Sequence, residues 1–224
     1  MNIDLNKFEP LFLEHMKNLC DEVNDVSHDL SHVMRVVRTA KILCDKEKGD
    51  PYIVVPAAYL HDCLYISKKD PRRSLASTLS AEYALKLMQG WGYPDQYFEE
   101  ISHAIKAHSF SANIKPETLE ARIVQDADRI DGLGAIGVCR AMAFTGFANR
   151  SMYNTNDPFC ENGRTPDDST NTLDHFFIKL MNVAELACTD SGKAECIKRT
   201  EYMRGFLNQL SAEVGTIKAI KANS

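Results

Sequence analysis

The chain has 224 residues, 44% hydrophobic and 25% charged, the make-up of an ordinary globular protein, and its length fits one large domain or two small ones. A net charge of −5 gives no global footprint for a nucleic-acid polymer, and no run approaches the roughly 20 apolar residues of a membrane span. Seven scattered cysteines without a C-x-x-C pair leave a zinc ribbon or thioredoxin-type motif unsupported and suit a reducing, cytoplasmic setting, and the first seven residues lack the apolar core of a signal peptide.

Leu5, Phe8, Leu11, Phe12, Met16 and Leu19 recur at helical spacing and predict a first amphipathic helix. Asp29 can cap a second, with Val33, Val36, Val37, Ala40 and Cys44 near one stripe. Gly49-Asp50-Pro51 breaks it, and a third runs from about Tyr52 to Asp62. Ser77 or Ser80 opens a fourth, Ala81 to Met88, closed by Gly90 and Gly92. Pro94 suits the first turn of a fifth that reaches about His108. A sixth spans Glu117 to Ile130 and a seventh, rich in Ala and Gly, Leu133 to Phe147. Between Asn149 and Asn171 the chain turns polar and irregular, and a loop this long is usually functional or mobile. Two further helices, about Thr172 to Cys188 and Lys193 to Val214, follow. Strand evidence is thin, so the expected fold is all-α: one domain spanning 1–224, with its core at about 24–148 and a C-terminal helical pair within 172–214.

Chemistry concentrates at His61-Asp62, which ends the apolar run Ile53 to Leu60. A His-Asp dipeptide arises by chance, and His28-Asp29 is a second one. The setting raises the weight of the first, because a carboxylate beside such a run is costly to bury unless it is paired or coordinates a metal. His32 lies in the helical stretch before it and Asp128 in one after it. Two imidazoles and two carboxylates can hold one divalent ion and leave positions open for water and substrate. Asp126 and Asp131 compete with Asp128 for the fourth place. His28 reads equally as a local cap or as a group near a metal water, one turn from His32.

Three elements carry a resemblance to a family. His32-Val33-Met34-Arg35-Val36 resembles the H-x-x-R-V element, Ala58-Tyr59-Leu60-His61-Asp62 the small-apolar-L-H-D element, and Ala127-Asp128-Arg129-Ile130 the A-D-R-[LI] element of the HD superfamily of metal-dependent phosphohydrolases. They stand in the family's order. The similarity covers most of the chain and is close to a group of small bacterial HD-domain proteins, in which His108-Ser109-Phe110-Ser111, the glycine-rich run from Gly132 to Gly137 and Asp174-His175-Phe176 with Lys179 also have counterparts. The resemblance implies an all-α HD-domain helical bundle in which His32, His61, Asp62 and Asp128 are the metal ligands. It leaves Asp126 to orient a neighbour and Asp131 as a helix-end or supporting acceptor. Binuclear relatives carry a paired His-His where position 109 here is Ser, which argues against a dinuclear site and against an iron oxygenase.

The chemistry expected is hydrolysis of a phosphoester or phosphoanhydride of a small phosphorylated metabolite. A nucleotide is the substrate the resemblance favours, with pyrophosphohydrolysis of a nucleoside triphosphate as one form. Mn²⁺ or Mg²⁺ heads the expected ions, with Fe²⁺, Ni²⁺ and Zn²⁺ as alternatives. Asp62 and His28 are the candidate proton-handling groups. In the run Ser67 to Ser74, Lys68, Lys69 and Arg72, with Arg73, are a candidate phosphate clamp or a solvated loop. Arg35, His108 and the pair His175 and Lys179, four apart, complete the candidate substrate contacts. The rival reading is a regulatory HD module that binds a nucleotide without turnover.

Overall fold

The structure, a computed structural model, describes residues 4–22, 29–67 and 70–215, and among these it is helical with no strand. The helices are α1 (Leu5–Glu22), α2 (Leu30–Glu47), α3 (Pro51–Leu60), α4 (Ala76–Trp91), α5 (Phe98–His108), α6 (Leu119–Asp131), α7 (Gly134–Phe147), α8 (Thr172–Ile178) and α9 (Asp190–Val214). The chain forms two compact units, one from the residues up to Asp128 with the return of Cys188–Gly192, the other from Arg129–Ala187 and the residues from Lys193 on.

In the first unit each helix boundary has a local cause. Asp29 caps α2 by accepting the amide of His32 at 2.7 Å, and Asp50 caps α3 through the amide of Tyr52 at 2.8 Å, with Pro51 in the first turn. Helix α3 stops at Leu60, two residues short of the sequence expectation. Nδ1 of His61 donates to the carbonyl of Ala58 at 2.9 Å, the acceptor that the amide of Asp62 takes in a longer helix. Pro56 within α3 has no N–H for the carbonyl of Tyr52, and the Tyr93 hydroxyl supplies the missing donor at 2.6 Å. Helix α4 is longer than expected, so Ser77 and Ser80 lie buried inside it, and Gly92 ends it at φ +74 with the amide of Tyr93 on Met88. Helix α5 starts at Phe98, after a short 3-10 turn, because the segment behind Pro94 winds tightly first. Phe12, Met16, Leu43, Leu60, Met88 and Ile101 are fully buried at the centre of this unit.

Helix α6 is anchored on two sides within the same unit. Gln125 donates to the carbonyl of Ala107 at 2.6 Å. The buried carboxylate of Asp126 accepts the amides of Cys188 and Thr189 and the Thr189 hydroxyl, at 2.7 to 3.1 Å. Asp126 thus serves the segment that opens α9, a role that short-range sequence reading does not reach because its donors lie more than sixty residues away.

The second unit buries Leu173, Phe176, Met203 and Leu207, with Phe176 stacked on Phe206 at 6.3 Å. The expected helix from Thr172 to Cys188 is instead α8 followed by a 3-10 segment, Leu180–Leu186; Lys179 leaves helical geometry at φ −129, ψ −60. The segment 149–171 is closed at its base by the amide of Ser151 on Thr170 and the amide of Thr172 on Ser151. Inside it Arg164 grips the fully buried Asp174 with two bonds of 2.6 and 2.8 Å, and the amide of Asp167 adds a third at 2.7 Å.

Candidate metal centre

Four helices of the first unit bring imidazoles and carboxylates together. His32 sits in the first turn of α2, fixed there by the Asp29 cap. His61 and Asp62 follow the last turn of α3, His108 ends α5, and Asp128 lies in the last turn of α6. Nε2 of His61 is 3.4 Å from Nε2 of His32, 3.7 Å from Asp62 and 3.9 Å from Asp128; Nε2 of His32 is 3.5 Å from Asp128. His108 joins from the far side, with Nε2 3.6 Å from the other Asp62 oxygen. Two overlapping groups result, His32 with His61 and Asp128, and His61 with Asp62 and His108, each close enough for one ion. The three rings are buried, whereas the side chains of Asp62 and Asp128 remain 27% and 28% exposed, so the cluster has a wet side.

Backbone carbonyls set the tautomers. His61 gives its Nδ1–H to Ala58, and His108 gives its own to Ile105 at 2.6 Å, which turns both Nε2 atoms toward the carboxylates. Burial pushes the pKa of His61 down to about 4 against the opposing pull of Asp62 and Asp128, so this ring is neutral near pH 7. At His108 burial acts downward too, but the hydrogen bond and charge of Asp62, with Asp128 behind, outweigh it and hold the pKa above the ordinary value. A buried imidazole lone pair facing two carboxylates and a second imidazole is unfavourable by itself, and a cation among them resolves it. The donor set of nitrogens and carboxylate oxygens fits a divalent ion.

Several other sequence candidates pair with neighbours of their own. Arg35 donates to Ser31, which donates to the α2 cap residue Asp29. Arg72 is exposed and clasps Asp70 with bonds of 2.8 and 3.1 Å, and this partner holds the Asp70 carboxyl down to about 2. His175 pairs with Asp168 at 2.7 Å in the second unit, and the end of α8 at Ile178 means that it and Lys179 do not share one helix face. His28, Lys68 and Lys69 lie outside the described residues. Among the described residues, the cation that lines the cleft beside His32 and Asp62 is Arg73, one position beyond Arg72. Only the three-dimensional path of the turn after Asp70 distinguishes the two arginines. Asp131 pairs with Arg140 in the second unit, and His103 accepts the amide of Glu117 at 2.9 Å.

The HD domain model matches residues 29–133, the stretch that contains all five cluster residues. Over 196 residues, 86% of this chain and 87% of the relative, the sequence is 30% identical to the uncharacterized protein YpgQ of Bacillus subtilis. The chain belongs to the HD superfamily. Solved structures of similar proteins extend the match beyond the HD segment. The crystal structure of Bacillus subtilis YpgQ in complex with ADP matches at a TM-score of 0.71 and 25% identity, covering 95% of this chain and 97% of that one. An HD-superfamily hydrolase from Bacillus thuringiensis matches at a TM-score of 0.71 and 28% identity, over 92% of this chain and 97% of its own. No helix among the described residues of this HD-superfamily protein is long and apolar enough to cross a membrane.

Proposed function

We propose that this HD-superfamily chain is a metal-dependent phosphohydrolase acting on a small phosphorylated metabolite, a nucleotide. The observation that carries the reading is the meeting of His32, His61, Asp62 and Asp128, from three separate helical regions, in one cluster whose two carboxylates are partly open to solvent. The ADP complex of YpgQ supports the nucleotide class. In this reading those four side chains hold the ion, with Mn²⁺ or Mg²⁺ first in line. A divalent ion there supplies Lewis-acid polarisation of a phosphoryl oxygen and a water acidic enough to attack near neutral pH.

The protein's own groups divide the remaining work. Asp62 reaches both halves of the cluster, one oxygen toward His61 and the other toward His108, so it can orient a water while passing a proton along that pair. His108 is the proton-handling partner on that side, and His28 keeps its sequence-based candidacy for the same work. The carbonyls of Ala58 and Ile105 keep His61 and His108 in the required tautomers. Cleavage of a nucleoside triphosphate to monophosphate and pyrophosphate is the form of the reaction to assay first.

The test runs purified protein with Mn²⁺ against a nucleotide panel, beside His61→Ala and Asp62→Ala. Turnover in the wild type with a loss of at least a hundredfold in both variants is expected, about the size of effect seen when a catalytic group is removed. Equal turnover by all three rejects the mechanism. Stoichiometric nucleotide binding without turnover under any divalent ion selects the regulatory module instead.

A further inference from the structure

Helix α5 ends with carbonyls that have no helical amide ahead of them, because Ser109 turns extended at ψ 128 and the helix stops at His108. Side chains fill two of these places. Nδ1 of His108 donates to Ile105 in its own last turn, and Nε2 of Gln125 on α6 donates to Ala107, each at 2.6 Å. Gln125 is buried, and the Cys188 thiol donates to its Oε1 at 3.3 Å, so both ends of the amide are engaged and its orientation is fixed. Ala107 adjoins His108, and Gln125 precedes Asp128 by three residues, about one turn of α6. The bond therefore joins two helices that each carry a member of the cluster, close to those members.

Loss of this bond does not act equally on the two helices. Asp126 keeps α6 in place through the amides of Cys188 and Thr189 and the Thr189 hydroxyl. His32 is held by the Asp29 cap and His61 by the Ala58 carbonyl, both independent of Gln125. The His108 ring is fastened to Ile105, one turn back in its own helix, so ring and turn move together. Nε2 of His108 lies 3.6 Å from Asp62, at the outer edge of hydrogen-bond reach, where a small displacement decides whether a proton passes. We infer that Gln125 is a positioning residue: its bond to Ala107 holds the end of α5 so that His108 faces Asp62, and it acts on the reaction through His108 rather than through the metal ligands. The inference rests on the phosphohydrolase reading for the proton step assigned to His108.

Two measurements test it, on wild type, Gln125→Met, and Tyr93→Phe as a matched loss. The last also strips a donor from a helix carbonyl of the same unit, that of Tyr52, at the opposite end of α3 from His61. Gln125→Asn, one methylene shorter, keeps the site polar and carries the same expectations as Gln125→Met. In EDTA, without metal, the ring signals of His108 are followed in a proton–nitrogen correlation spectrum and assigned by their loss in His108→Asn. They should move in Gln125→Met and stay in place in Tyr93→Phe. With Mn²⁺ and the best nucleotide of the panel, Gln125→Met should lower kcat by about tenfold with KM unchanged. In a His108→Asn background the same substitution should lower kcat by no more than about twofold, because its effect is already spent. Unmoved ring signals, an equal kcat loss in Tyr93→Phe, or a full tenfold loss on top of His108→Asn overturns the inference. If the wild type hydrolyses no nucleotide, the phosphohydrolase reading falls, and the ring signals alone decide whether Gln125 positions His108.

Discussion

Gly192 has no room for a methyl group. A Cβ there would collide with the Asp126 carboxylate and lie 2.6 Å from Oγ1 of Thr189, in the turn where Asp126 gathers its donors. Gly192→Ala is expected to cost about 1–3 kcal/mol, read as a lower denaturation midpoint in urea at unchanged slope. Tyr93 offers a second single-atom test. Tyr93→Phe leaves the Tyr52 carbonyl without the donor that replaces the missing Pro56 N–H, a loss of about 1–3 kcal/mol. A hydroxyl deletion that leaves the midpoint in place would refute this account of the proline. Neither partnership was legible in the sequence, because each joins positions far apart along the chain. The residue types at the cluster were legible, since His32, His61, Asp62 and Asp128 each stand in a recognisable local pattern. The choice of Arg73 over Arg72 at the cleft was not, for adjacent arginines differ only in which way the turn points them.

At the scale of elements, the sequence read well wherever a cap or a break acts locally. Asp29 before α2 and Pro51 at the start of α3 are examples. It read poorly behind α8, where periodicity suggested one helix to Cys188 and the chain instead leaves α geometry at Lys179. The segment 149–171 shows why a polar composition says little about order: its backbone is tied down by the Arg164–Asp174 pair. Burial pushes the Asp174 carboxyl up, but the hydrogen bonds from Arg164 and from the Asp167 amide more than reverse this and place it below the ordinary value. With the folded pKa depressed, the stabilisation is complete above the unfolded value of about 3.9. It is lost as pH falls through the lower folded value. Limited proteolysis with an acid-active protease should therefore cut within 149–171 only below about pH 4. Arg164→Met strands the buried carboxylate, an expected loss of about 3 kcal/mol, and should allow cutting at neutral pH. Continued resistance of that variant would mean that the pair does not hold the segment.

For the molecule as a whole, an ion that binds only the folded form raises stability with the logarithm of its concentration over Kd. At a hundredfold excess the gain is about 2.7 kcal/mol, which for a chain of this length is roughly 5–10 °C in Tm. Mn²⁺ should produce that rise in a thermal melt, EDTA should reverse it, and His61→Ala should abolish it. The same rise in the variant would place the ion elsewhere. Architecture at this scale follows from α6, which carries Asp128 toward the cluster, Asp126 toward Cys188–Thr189 and Gln125 toward Ala107. An excised fragment limited to residues 29–133, the span of the HD match, would forfeit Phe12 and Met16 from its interior and strip Asp126 of the amides it receives. Anyone grafting this His/Asp cluster into another scaffold has to transplant a distant five-residue return along with it.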